Sequence, residues 1–195
     1  PARVFECEED AFAAVSEHGW DRTGTATLPR FYWDWQRQRT VQAKGSTPFT
    51  PATSTVVALT EALGLVLADG LEAAFERHRA LGRGCRAGIK GSGLALYSPD
   101  DDTAAVLTGA LTGEGIDAVA IRLALRDNHG ITIAGGHGDL ASRLFRIGHI
   151  GHVTVEQIAG ALTAIEEELL AAGADVEPGN AAPAALEAFG TAAAA

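Results

Sequence analysis

The stretch Gly130–His152, GITIAGGHGDLASRLFRIGHIGH, sets two short apolar runs on either side of a glycine-rich turn. Ile131–Ala134 and Leu144–Ile147 have strand length and are bounded by turn residues, so both read as strands. Asp117 is placed to N-cap a helix that runs through Arg126 ahead of them. Before that helix come a strand at Leu94–Tyr97, an acidic turn (SPDDD) and a strand around Ala104–Leu111. A longer helical pattern covers Thr55–Lys90. There Val56, Leu59, Leu63, Val66 and Leu67 recur at spacings of three and four, as do Leu71, Phe75 and His78. Gly70 interrupts this pattern and GIKGSG (Gly88–Gly93) ends it, with Gly91 or Gly93 free to take a positive φ. On the other side Thr154, followed by Glu156 and Gln157, caps a last helix reaching about Ala172. The order helix, strand, strand, helix, strand, strand, helix predicts an α+β unit, a sheet with helices packed on one face.

Upstream, AFAAVS (Ala11–Ser16) reads as a buried strand. Leu28–Arg39, LPRFYWDWQRQR, reads as a helix with Pro29 in its first turn. GSTPFTPATS (Gly45–Ser54) is a loop that Pro48 and Pro51 keep extended. From Pro178 onward the chain is rich in small residues and is expected to fray.

The chain has 195 residues, 47% of them hydrophobic and 21% charged, the profile of a globular protein. A formal net charge of −10 repels phosphate backbones, so neither nucleic acid nor anionic membrane is an expected partner. Asp69, Glu72, Glu76 and Arg77 break the longest apolar run, leaving no membrane span. PARVFECEED lacks the charged-then-apolar order of a secretory signal. Cys7 and Cys85 form no CxxC and fit a reducing compartment, so the expected location is cytoplasmic.

His149 and His152 stand three apart with His137 and Asp139 upstream, but Gly148 and Gly151 argue for a turn. These read as polar loop histidines, and no metal site is assigned. The pairs Gly82/Gly84 and Gly91/Gly93 do not complete a dinucleotide fingerprint. Trp33 and Trp35 are read as packing at a domain or subunit contact. Arg146, at the end of an apolar strand with glycines close behind, is suited to clamp a carboxylate in bidentate fashion. An ordinary ion pair with one of the 25 acidic residues is the other reading, and both stay open.

TPFTPATS, the helix beginning TVVALTEAL, GITIAGGHG and LFRIGHIG occur in that order, with LPRFYWDW upstream. Together they resemble the class V, fold-type I aminotransferases, within them the alanine–glyoxylate and serine–glyoxylate group, over roughly Ala11–Ala172. The resemblance implies an aminotransferase that moves an amino group between an amino acid and a 2-oxo acid through pyridoxal phosphate, in a homodimer. In that scheme Arg146 holds the substrate carboxylate. Thr47 and Thr50 reach across the dimer interface to the cofactor phosphate of the partner subunit, and Gly135 and Gly136 form a tight turn beside the cleft. Residues 1–20 would end the large domain, 21–54 form the interdomain and dimer-interface segment, 55–175 the C-terminal small domain, and 176–195 a flexible tail.

The chain also departs from the family. The Schiff-base lysine belongs shortly before the strand corresponding to AFAAVS, yet the only lysines are Lys44 and Lys90, both downstream. No catalytic residue is therefore assigned. The expectation is a C-terminal portion, inactive alone, that works with a chain supplying the large domain. The alternative is a non-catalytic, aminotransferase-derived interaction module that uses Trp33, Trp35 and Phe49.

Overall fold

The computed structural model describes residues 27, 29, 31–98 and 106–190. The strand expected at Ala11–Ser16 lies outside them. The chain divides into two compact units, one up to Leu63 and one from Gly64.

In the first unit Phe31–Trp33 makes a 3-10 turn and α1 spans Trp35–Gln42. The helix starts later than expected, and Pro29 does not open it. Asp34 is the reason: its side chain accepts from Arg37 N at 3.0 Å and satisfies a donor that a helix start otherwise leaves open. The proline loop lies against this start through its aromatic residue. Phe49 sits 4.9 Å from Phe31 and 4.4 Å from Tyr32 between ring centroids, and the Arg37 guanidinium covers Phe31 at 4.8 Å and Phe49 at 5.1 Å. The next helix, α2 (Thr53–Asp69), has no buried residue and runs past the boundary at Leu63.

The second unit continues with α3 (Leu71–Gly91), β1 (Ala95–Leu96), β2 (Leu107–Leu111) and α4 (Ala118–His129). It then adds β3 (Ala134–Gly135), β4 (Leu144–Gly148), α5 (Val155–Ala171) and α6 (Ala181–Gly190). The strands form one antiparallel sheet in the order β1-β2-β4-β3. Thr108 pairs with Ile147 and Ala110 with Phe145, and all four are buried. They mark the face on which α3 and α4 pack, and α5 joins those two helices. Leu81, Cys85, Ile121, Leu125, Leu162 and Leu169 complete one continuous core. Among the described residues no single helix is long and apolar enough to cross a membrane.

The helix starts follow the local signals. Asp117 caps α4, accepting from Val119 N, and Thr154 with Gln157 forms a complete capping box on α5. The strand expected at Ile131–Ala134 is instead Ala134–Gly135. Gly130 ends α4 at φ +67, and the N–H groups of Gly130 and Ile131 turn back to Arg126 O and Leu125 O. Ile131 and Ile133 therefore pack against the core from this helix-closing turn, before pairing begins.

The reading of 176–195 as a flexible tail is corrected over Ala181–Gly190, which form α6 with Ala181 and Ala185 buried. A stripe on α3 makes this possible. A Cβ on Gly84 would lie 3.0 Å from Ala185 O, on Gly88 2.9 Å from Ala181 O, and on Gly91 3.0 Å from Asn180 O. Only bare backbone lets α6 come so near. Buried Glu166 on α5 then accepts from Gly179 N at 3.1 Å and Ala181 N at 2.8 Å, a carboxyl group at the positive end of α6.

Gly88→Ala decides the sign of two opposed effects. Helix propensity favours alanine by about 1 kcal/mol, whereas overpacking against a backbone carbonyl costs about 1–3 kcal/mol. A Cβ at Gly88 would also fall 2.4 Å from Leu162 Cδ1, so urea denaturation should show net destabilisation. A stabilised variant would mean that α6 does not occupy the stripe.

Cys85 supplies a pH test of the same core. It is wholly buried on α3 beside Thr108, and burial pushes its thiol up to about 11 from an ordinary 9.0. The neutral thiol suits the fold and the thiolate does not. Stability is therefore intact below pH 9 and falls as pH rises toward 11, by about 2–3 kcal/mol. Comparing denaturation midpoints of the parent and Cys85→Ala across this range should show the slope only in the parent.

Candidate functional site

β4 alternates as a strand must. With Phe145 and Ile147 turned to the helices, Arg146 between them stands on the opposite face. Its neighbours across the sheet are Gly109 on β2 and Ala134 on β3, and Tyr97 and Leu144 lie over Gly109.

The guanidinium is held along one edge. Arg146 Nε donates to Gly135 O at 2.8 Å, and Nη2 lies 3.2 Å from His137 Nε2. Arginine can only donate, so His137 Nε2 is the acceptor and the unprotonated ring nitrogen in this contact. These two acceptors take the side-on edge, Nε with Nη2. The end-on edge, Nη1 with the second Nη2 hydrogen, is not bonded by any described residue. Two parallel donors in one plane match the two oxygens of a carboxylate. The ion-pair reading is not what the side chain does, since its bonded partners are a backbone carbonyl and a neutral ring.

The turn that brings Gly135 and His137 to Arg146 depends on one glycine more than the other. Gly135 is the last residue of β3. Gly136 opens the turn, donating to Leu144 O at 2.9 Å, and a Cβ on it would fall 2.3 Å from Leu140 O. A 3-10 turn at Gly138–Leu140 completes the return to β4.

The segment after β4 is anchored from behind. His149 is fully buried with Nε2 2.9 Å from Thr108 Oγ1. Two residues of α3 grip Gly151: its N–H donates to His78 Nε2 at 3.1 Å, and Arg77 Nη1 donates to its carbonyl at 2.9 Å. His149 and, from α3, His78 thus hold the segment at the end of β4. The spacing of His149 and His152 carried no sign that α3 supplies a third histidine to the same loop.

Thr47 and Thr50 belong to the first unit, on the exposed loop between α1 and α2. Thr47 Oγ1 donates to Phe49 O at 2.7 Å, which folds the hydroxyl into its own loop. Lys44, in the turn after α1, and Lys90, in the last turn of α3, are both exposed.

No family model matches the chain. Among curated proteins it is similar to the small subunit of a soluble hydrogenase from Synechococcus, 39% identical over 183 residues, covering 93% of this chain and 47% of that protein. It is also similar to a serine–glyoxylate aminotransferase from Methylorubrum extorquens, 32% identical over 160 residues, covering 81% of this chain and 40% of that one. Its fold matches the crystal structure of ureidoglycine–glyoxylate aminotransferase from Bacillus subtilis with a TM-score of 0.75 and 32% identity, over 93% of this chain and 45% of the other. The chain spans about half the length of the relatives it matches. In sequence and architecture the chain matches the class V aminotransferases, as a portion a little under half their length.

Proposed function

We propose that the chain serves an aminotransferase acting on a small amino acid and a 2-oxo acid, glyoxylate foremost, and that Arg146 binds the carboxylate both substrates share. The observation that carries this is the guanidinium whose side-on edge is held by Gly135 O and His137 while its end-on edge is bonded by no described residue. A charge-assisted, bidentate contact at that edge orients the substrate without demanding any particular side chain. Such a site accepts an amino acid and its 2-oxo product alike, as an amino-transfer cycle requires. The module reading, built on Trp33, Trp35 and Phe49, leaves this arrangement around Arg146 without a purpose.

Pyridoxal phosphate is the cofactor this reading calls for, and the chain's residues fit one end of it. The backbone N–H groups of the Thr47–Thr50 loop suit a phosphate reached across a homodimer interface, joined by the Thr50 hydroxyl and by that of Thr47 once it turns from Phe49 O. Lys44 and Lys90 do not fit as the covalent anchor, since each stands exposed at the end of a helix. The anchoring lysine then comes from sequence outside this chain. When bound, pyridoxal phosphate supplies the electron sink for bonds at the substrate Cα. The part played by this chain is to fix the carboxylate end, and so to set which Cα bond is presented.

In the assembled enzyme, Arg146→Ala should raise KM for amino acid and 2-oxo acid by about 10- to 100-fold, the loss of a hydrogen-bonded charge pair. Pyridoxal phosphate should stay bound, as its absorbance will report. Unchanged KM would overturn the carboxylate assignment. Borohydride reduction of the chain mixed with pyridoxal phosphate, followed by peptide mapping, should give no stoichiometric adduct on Lys44 or Lys90. An adduct there would make the chain self-sufficient for the cofactor and remove the need for an outside lysine.

A further inference from the structure

The bond that holds Arg146 comes from one of the two shortest strands of the sheet. β3 is two residues long, lies at the sheet edge and pairs only with β4. Two pairs of residues are little to fix the Gly135 carbonyl, because an edge strand this short gains scant support from its own ladder. A second arginine supplies what the ladder lacks. Arg122, on α4, donates from Nε to Ile133 O at 3.1 Å. Its guanidinium is also pressed against Gly135 from the helix side: a Cβ there would fall 2.4 Å from Nη1 and 2.9 Å from Cζ. Residue 135 is therefore a glycine with a use. Its missing side chain is the seat of Arg122, and its carbonyl, 2.8 Å from Arg146 Nε, is the seat of the other arginine.

We infer that Arg122 is a positioning residue for Arg146. It clamps backbone 133–135 from the core side so that the Gly135 carbonyl keeps the side-on edge of Arg146 engaged and the end-on edge turned to the substrate carboxylate. The inference rests on the carboxylate role proposed for Arg146. A lysine at position 122 could reach the Ile133 carbonyl but lacks the planar group that covers Gly135. The clamp is therefore specific to arginine.

The test uses the chain itself, with the Arg146 Nε–H resonance followed by proton–nitrogen NMR and sodium glyoxylate as the probe. Arg122→Ala should speed solvent exchange of the Arg146 Nε–H by about tenfold and weaken glyoxylate binding about fivefold. Arg122→Lys should not restore either. Gly135→Ala, which keeps the strand but displaces the Arg122 guanidinium, should reproduce both effects should Arg122→Ala fold poorly. In an Arg146→Ala background, Arg122→Ala should change glyoxylate affinity no further, because its effect passes through Arg146.

Unchanged Nε–H exchange in Arg122→Ala and Gly135→Ala overturns the clamp, whatever the ligand does. So does an additive loss in the double variant, the mark of a general structural role. If instead the parent chain and Arg146→Ala respond identically to glyoxylate, the carboxylate reading of Arg146 has failed, and the exchange data judge the clamp separately.

Discussion

The two-residue period of β4 governs the arrangement. Phe145 and Ile147 are committed to the core by their size and apolarity, and the strand has no freedom to turn Arg146 the same way. Burying two hydrophobic side chains and exposing one cation are thus a single event. The core keeps the register, and the register keeps the guanidinium on the face of the sheet away from the helices. Slipping β4 by one residue against β2 would bury a charge and expose a phenyl ring, a change that costs far more than it gains.

Around that fixed point the acceptors are drawn from backbone and a neutral ring, not from carboxylates, although the chain carries 25 acidic residues. An aspartate beside Arg146 would neutralise it and compete with any incoming anion. A carbonyl oxygen and an imidazole nitrogen orient the group while leaving its charge uncancelled. The phosphate-suited loop of Thr47 and Thr50 belongs to the other unit. The residues proposed to face the substrate and those proposed to face the cofactor thus lie in separate stretches of chain.

What the sequence disclosed was what sequence encodes locally. Asp117, Thr154 and Gln157 act within a turn of their own helices, and the short apolar run Leu144–Ile147, bounded by turn residues, needs no distant partner. Arg146 could be singled out for the same reason. The start of α1 went to Asp34 and not Pro29, because a side-chain acceptor competes well with a pre-set φ. β3 was misplaced because Gly130 closes α4 with the N–H groups that a strand would have used. The last helix was hidden for a different reason. Ala181–Gly190 gain their place only from Gly84, Gly88 and Gly91, and nothing nearby in sequence announces that pairing. Arg122 escaped notice likewise, since its meaning lies in a glycine on another element.

The glycine groove has a bearing on how the protein is made. It joins a helix from near the beginning of the second unit to the final helix at its end, with the whole sheet in between. During synthesis α3 emerges before the sheet and before α6, and its bare stripe faces water or whatever else is near until α6 has left the ribosome. Closure of the helical layer is therefore a late, nonlocal step.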